Sequence, residues 1–77
     1  MDENVGVNYN SLTKQIVIVS DQNIQQVSVS DLSGRLSQVS AGNGLIINVN
    51  VSELPHSLYI VSVFSNNVLT KRCKVVL

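Results

Sequence analysis

Leu45-Ile46-Ile47-Asn48-Val49-Asn50-Val51 carries the clearest two-residue alternation in the chain. Leu45, Ile47, Val49 and Val51 fall on one side of an extended backbone, and Asn48 and Asn50 on the other, because successive strand side chains point to opposite faces. Its Val and Ile residues are stiff at χ1 and pack well on a pleated surface. The stretch predicts a strand with one buried face. No segment elsewhere sustains a 3.6-residue apolar period, so the whole chain is expected to be built from such strands.

On the N-terminal side lies Ala41-Gly42-Asn43-Gly44, whose Asn-Gly pair is a strong hairpin signal. It predicts a turn between the alternating stretch and a strand at Arg35–Val39. Before that strand, Asp31-Leu32-Ser33-Gly34-Arg35 reads as a tight turn, with the Asp31 carboxylate as its cap and Gly34 at a positive φ. Gln26–Ser30 (QVSVS) sets Val27 and Val29 on one face. Lys14–Ser20 (KQIVIVS) is nearly continuous in apolar residues and is expected to be covered on both faces. A short strand is expected near Val5–Tyr9.

On the C-terminal side, Ser52-Glu53-Leu54-Pro55 is expected to form one short helical turn that carries the chain between sheets, with Pro55 ending it. Leu58–Phe64 (LYIVSVF) points Tyr59, Val61 and Val63 inward and Ile60 and Ser62 outward. The Tyr59 hydroxyl is expected to keep a polar partner. Ser65-Asn66-Asn67 reads as a hairpin, since Asn tolerates the left-handed region. In Leu69–Leu77 (LTKRCKVVL), Cys73, Val75 and Leu77 alternate toward the core and Arg72 and Lys74 toward solvent. Six or seven strands at a spacing of roughly 8–12 residues favour an all-β antiparallel sandwich.

The chain has 77 residues, enough for one domain. A domain of this size buries only about 60–65% of its unfolded surface, so its core is thin. Five basic and five acidic residues cancel. A neutral chain lacks the field that holds nucleic acid or an anionic membrane surface. No apolar run approaches the ~20 residues of a bilayer span, so no membrane insertion is expected. Met1-Asp2-Glu3 is acidic where a secretory leader would begin basic, so no signal peptide is expected. The single Cys73 forms no intrachain disulfide.

Nothing in the pattern points to catalysis. His56 follows Pro55 in a turn with no second ligand near it, and a metal site needs several. Cys73 reads as a small core hydrophobe rather than a reactive thiolate. Asp21, Asp31 and Glu53 sit in different turns, while acid–base chemistry needs groups that converge. Asn50-Val51-Ser52 matches a glycosylation sequon inside a strand and carries no weight. Short loops leave little room for a small-molecule pocket. The chain is expected to have no catalytic, metal or cofactor site and not to be an enzyme. Lys71, Arg72 and Lys74 are the one local charge feature, and their plainest role is to blunt an edge strand.

Several of these pieces recur in order. Val27-Ser28-Val29-Ser30 leads into Asp31-Leu32-Ser33-Gly34-Arg35. Ile47-Asn48-Val49-Asn50-Val51 leads into Ser52-Glu53-Leu54-Pro55, then Tyr59-Ile60-Val61-Ser62-Val63, then Lys71-Arg72-Cys73-Lys74-Val75-Val76-Leu77. In that order and spacing, residues 26–77 resemble the C-terminal sorting domains of type IX secretion cargo in Bacteroidota. Two positions depart from the family pattern: Ser57 stands where the family has Gly, and no Asn-Pro pair opens the first strand.

The resemblance implies an Ig-like sandwich of about seven strands, with residues 1–77 forming one domain at the C-terminal end of a larger secreted protein. It implies a role as an export signal rather than a catalyst. The outer-membrane secretion machinery and a sortase-like peptidase would be the partners, and cargo would pass through the periplasm to the medium or cell surface. The residues that carry the motif, and are the candidates for recognition, are Asp31, Gly34, Arg35, Leu54, Pro55, Tyr59, Lys71, Arg72 and Lys74. The rival reading is an Ig-like accessory binding module of a secreted or surface protein. Few aromatics are present to make a carbohydrate platform: Phe64, Tyr9 and Tyr59.

Overall fold

A computed structural model of the chain describes residues 4–77; Met1-Asp2-Glu3, on which the expectation about a signal peptide rests, lie outside them. Five antiparallel strands make up the described fold, and no helix is present among these residues: β1 (Val5–Asn10), β2 (Gln15–Ser30), β3 (Leu36–Asn50), β4 (Leu58–Ser65) and β5 (Val68–Val76). All belong to one sheet, ordered β1-β2-β4-β5, with β3 on the other side of β2.

The sequence suggests about seven strands because β2 and β3 are each long and bent. β2 holds 16 residues. Straight, it would span about 50 Å at roughly 3.3 Å per residue, yet the longest dimension of the molecule is 30 Å. Its first half pairs β1 (Val5↔Ser20 through Asn10↔Gln15) and the end of β3 (Gln15↔Asn50 through Val19↔Ile46). Its second half pairs the start of β3 (Gln26↔Ala41 through Ser30↔Leu36) and β4 (Gln26↔Phe64 through Ser30↔Ile60). Between the halves the β2–β3 register slips on either side of Ile24↔Gly44. Such bulges sharpen twist and bend. The sheet therefore curls over itself into a half-barrel. On one flank the Gln38 side chain donates a hydrogen bond from Nε2 to the Asn50 carbonyl at 2.8 Å, joining the two ends of β3. On the other flank β1 lies against β5.

The core fills the fold of the sheet. Ile16, Ile18, Val49 and Val51 come from one half, and Val27, Val29, Tyr59, Val61 and Val63 from the other, with Ile24 at the bend. Each such side chain contributes about 1.5–3 kcal/mol when fully buried. The expected inward set of β4 is the observed one. Tyr59 donates its hydroxyl to the Pro55 carbonyl at 2.9 Å, so its polar end is satisfied. Ser62, on the opposite face, is also buried, beneath the Arg72 guanidinium, whose Nε lies 3.4 Å from its hydroxyl.

Several expectations need correction. Ala41-Gly42-Asn43-Gly44 is not a hairpin: β3 runs through it. Leu45 is not inward but 53% exposed, because the strand rotates at the bend. Lys14–Ser20 is not covered on both faces, since Val19 is exposed and nothing packs over it. Ser52–Pro55 forms no helix and crosses between no separate sheets. It is a turn closed by Leu54 N–H to the Val51 carbonyl, leading from β3 to β4 of the same sheet.

The two expected tight turns form as read. Asn66 and Asn67 both adopt positive φ (54° and 62°), the backbone of a two-residue type I′ hairpin. Gly34 has φ 91° with open space where a Cβ would stand. The cost of a side chain there is conformational rather than steric. Gly34→Val is expected to destabilise by roughly 1–2 kcal/mol; an unchanged thermal midpoint would refute this turn geometry.

Candidate functional site

The motif residues divide between a turn, a loop and the last strand, and the strand registers decide which of them meet. Ser30 pairs Ile60, Ile60 pairs Lys74, and Leu58 pairs Val76. The Asp31–Arg35 turn, the loop before β4 and the end of β5 therefore share one end of the sheet. The loop also grips the last residue. Leu77 N–H donates to the Ser57 carbonyl at 2.9 Å, and His56 Nδ1 lies 3.3 Å from the Leu77 carbonyl. Leu54 packs against the core, and Pro55 accepts the Tyr59 hydroxyl. Leu54, Pro55 and Tyr59 thus act together as a bracket that fixes where β5 ends. His56 and Ser57 complete it, and no sequence pattern marked them for that role.

Asp31 organises its turn in full. Its Oδ1 accepts from Ser33 N–H (3.0 Å), Ser33 Oγ–H (2.6 Å) and Arg35 N–H (3.0 Å). Gly34 N–H closes the turn on the Asp31 carbonyl at 3.0 Å. The Ser33 hydroxyl chiefly holds the Asp31 carboxyl below its ordinary value of 3.8; partial desolvation opposes it, and the backbone N–H groups and the Arg35 charge add to it. A carboxyl whose folded pKa is depressed stabilises the fold above its unfolded pKa, and that contribution is lost as pH falls through the folded value. Asp31→Asn keeps the turn acceptor and removes the titration. The variant is expected to lose less of its thermal midpoint than the native chain between about pH 6 and about pH 2.5; equal losses would show that Asp31 does not titrate with folding.

The basic cluster is split by the pleat. Lys71 pairs Val63, and Cys73 pairs Val61, so both share the inner face with Val75 and Leu77. Lys71 is half-buried there. Burial pushes the Cys73 thiol up, and the Lys71 charge pulls against it, which keeps the thiol protonated near neutral pH. Arg72 and Lys74 alone lie on the outer face, opposite Ser62 and Ile60. That face is richer in apolar residues than alternation suggested. Leu36, Ser30, Ile60 and Lys74 form one cross-strand row; Val39, Ser28, Ser62 and Arg72 form the next. Leu36 and Val39 are exposed.

At the other end of the sheet, Gln25, Gln26, Phe64 and Asn67 line a shallow depression. There Asn67 N–H donates to Gln25 Oε1 at 2.7 Å. No charged or nucleophilic group lines it. Among the described residues no three His, Cys, Asp or Glu side chains group as metal ligands would. No family model matches the sequence, and no curated protein matches it.

Proposed function

We propose that this domain is an export signal of the type IX kind, a folded handle recognised by an outer-membrane secretion machinery and removed by a sortase-like peptidase after translocation. The observation that carries this reading is the bracket at one end of the sheet. Leu54, Pro55 and Tyr59, three motif residues, hold the end of the chain's last strand through Ser57 and His56. The ordered motif set thus corresponds to a physical unit built around β5. Arg72 and Lys74 stand on the outer face of that strand, beside Ser62 and Ile60, where they would draw an acidic receptor with an attraction that salt weakens. Arg35 lies in the turn at the same end.

An Ig-like, seven-strand relationship belongs to the same proposal. Counted as halves on either side of their bends, β2 and β3 bring the segments to seven. On this reading one layer would hold β1, the first half of β2 and the end of β3, and the other the start of β3, the rest of β2, β4 and β5; the strand pairings support that grouping. The domain would be substrate and partner of the machinery, and secreted or surface-held cargo would precede it. The test is a reporter carried into the periplasm by its own leader and fused ahead of the whole domain, in a bacterium that has the system. Appearance of the reporter in the medium or at the surface supports the reading. Retention in the periplasm favours an accessory binding module, for which the apolar outer face around Leu36, Val39 and Ile60 is the natural surface.

A further inference from the structure

The three sheet edges differ in how they are guarded. β5 carries Lys71, Arg72 and Lys74 and a bulge between Val63↔Lys71 and Phe64↔Leu69, the devices that keep an edge from pairing with another chain. β1 is short and lies against β5. The β2–β3 ladder is regular from Gln15↔Asn50 to Val19↔Ile46, and its bulges fall at the bend and near Ser30↔Leu36. Among the described residues the only strand partner of β3 is β2, and between Arg35 and Glu53 the sequence holds no charged residue and no proline.

Its backbone directions can be assigned. In an antiparallel strand the N–H and C=O of one residue point to the same side, and neighbours alternate. Val51 N–H donates to the Lys14 carbonyl, toward β2, whereas the Asn50 carbonyl accepts from the Gln38 side chain. Asn50, Asn48 and Ile46 therefore direct their backbone groups away from β2. Ile46 is 65% exposed.

We infer that this edge is a self-association site, at which two copies pair their Leu45–Val51 segments antiparallel about a two-fold axis through Asn48. In that register Asn48 meets Asn48 and Ile46 meets Asn50 as hydrogen-bonding pairs. Ile47 meets Val49 on the inner face and the exposed Leu45 meets Val51, so each of these residues finds an aliphatic opposite. The strand is complementary to itself, and it carries no charge with which to select a foreign strand. A two-fold pairing uses up the Leu45–Val51 segment on both copies, so association through that segment stops at the dimer. Gln38 donates to the Asn50 carbonyl at this edge, and a carbonyl can accept a second bond. The inference stands apart from the export proposal.

The test combines sedimentation with amide hydrogen exchange over a range of concentrations. The native chain is expected to pass from 8.4 kDa to twice that mass as concentration rises. Exchange at Ile46 and Asn48 should slow in step, while Ile47 and Val49, already bonded to β2, should change little. Asn48→Lys sets two ammonium groups opposite each other at the axis, and Ile46→Lys charges the exposed flank. Both are expected to remain monomeric with the native circular dichroism spectrum. A native chain that stays monomeric throughout overturns the inference. So does a dimer whose Ile46 and Asn48 amides exchange as fast as in the monomer, or one that persists in whichever lysine variant is folded.

Discussion

A chain ending at Thr70 is expected not to fold. The segment Lys71–Leu77 supplies most of the ladder to β4, from Val63↔Lys71 to Leu58↔Val76. It also covers the core with Cys73, Val75 and Leu77. Without it, Tyr59, Val61 and Val63 lose the neighbours on one side, and β4 becomes an open edge. Losing the burial of three partly covered side chains costs several kcal/mol at about 25 cal/mol per Å². A domain of this length has roughly 4–12 kcal/mol in total. Far-ultraviolet circular dichroism and thermal melts should show loss of the cooperative transition. A truncated chain that melts cooperatively near the native midpoint would contradict the role given to β5. The same point bears on function: a truncation that abolishes export cannot separate a lost signal from a lost fold, so recognition has to be probed with substitutions on the outer face.

Of the two glycines without positive φ, Gly42 is expected to be the one where alanine is costly. A Cβ there would stand 3.0 Å from the Ile24 carbonyl oxygen and 3.1 and 3.2 Å from Cδ1 and Cγ1 of Ile47. The Ile47 side chain can turn aside, but the Ile24 oxygen belongs to backbone held at the bend. Overpacking of this kind costs about 1–3 kcal/mol, a fall of roughly 5–20 °C in the midpoint of a small domain. Gly6 provides the contrast, with nothing within 4 Å of its would-be Cβ. Gly6→Ala is expected to leave the midpoint unchanged or slightly raised. Equal midpoints for the two variants would contradict the close approach of β2 and β3 at the bend.

That bend is also where sequence and structure part. Strand faces far from it were legible: the alternation of Tyr59, Val61 and Val63, the Asp31–Gly34 turn and the Asn66-Asn67 hairpin all form as their chemistry suggests. Around Ile24 and Gly44 the signal is ambiguous, because a hairpin and a bent strand both interrupt an apolar run with small and polar residues. Asp21-Gln22-Asn23 on β2 and Gly42-Asn43 on β3 are unpaired residues on either side of the Ile24↔Gly44 pair, and the two strands bend together instead of ending. The bend also changes which residues face inward on β2, from the even positions Ile16, Ile18 and Ile24 to the odd positions Val27 and Val29. No local pattern reports such a shift, and Leu45 was misplaced for the same reason. Lys71 was grouped with Arg72 and Lys74 by sequence proximity, whereas the pleat sets it beside Cys73. The bracket on Leu77 joins residues about twenty positions apart through the Ser57 carbonyl and the His56 ring; residue identity does not encode the first, and no local pattern reports the register that brings the second into place.

Export of a fusion to the intact domain tests the functional proposal most directly, measured together for the native chain and for a variant with Arg72→Ala and Lys74→Ala. Both changes lie on the outer face of β5, where surface substitutions usually alter stability by no more than about 0.5 kcal/mol, and the Ser62 hydroxyl that loses its long 3.4 Å bond from Arg72 is opened to water by the same truncation. The expected result is a reporter exported by the native fusion and reduced in the medium and on the surface for the variant, with the two purified domains melting alike. Periplasmic retention of the native fusion, in a strain that exports its own type IX cargo, would contradict the proposal.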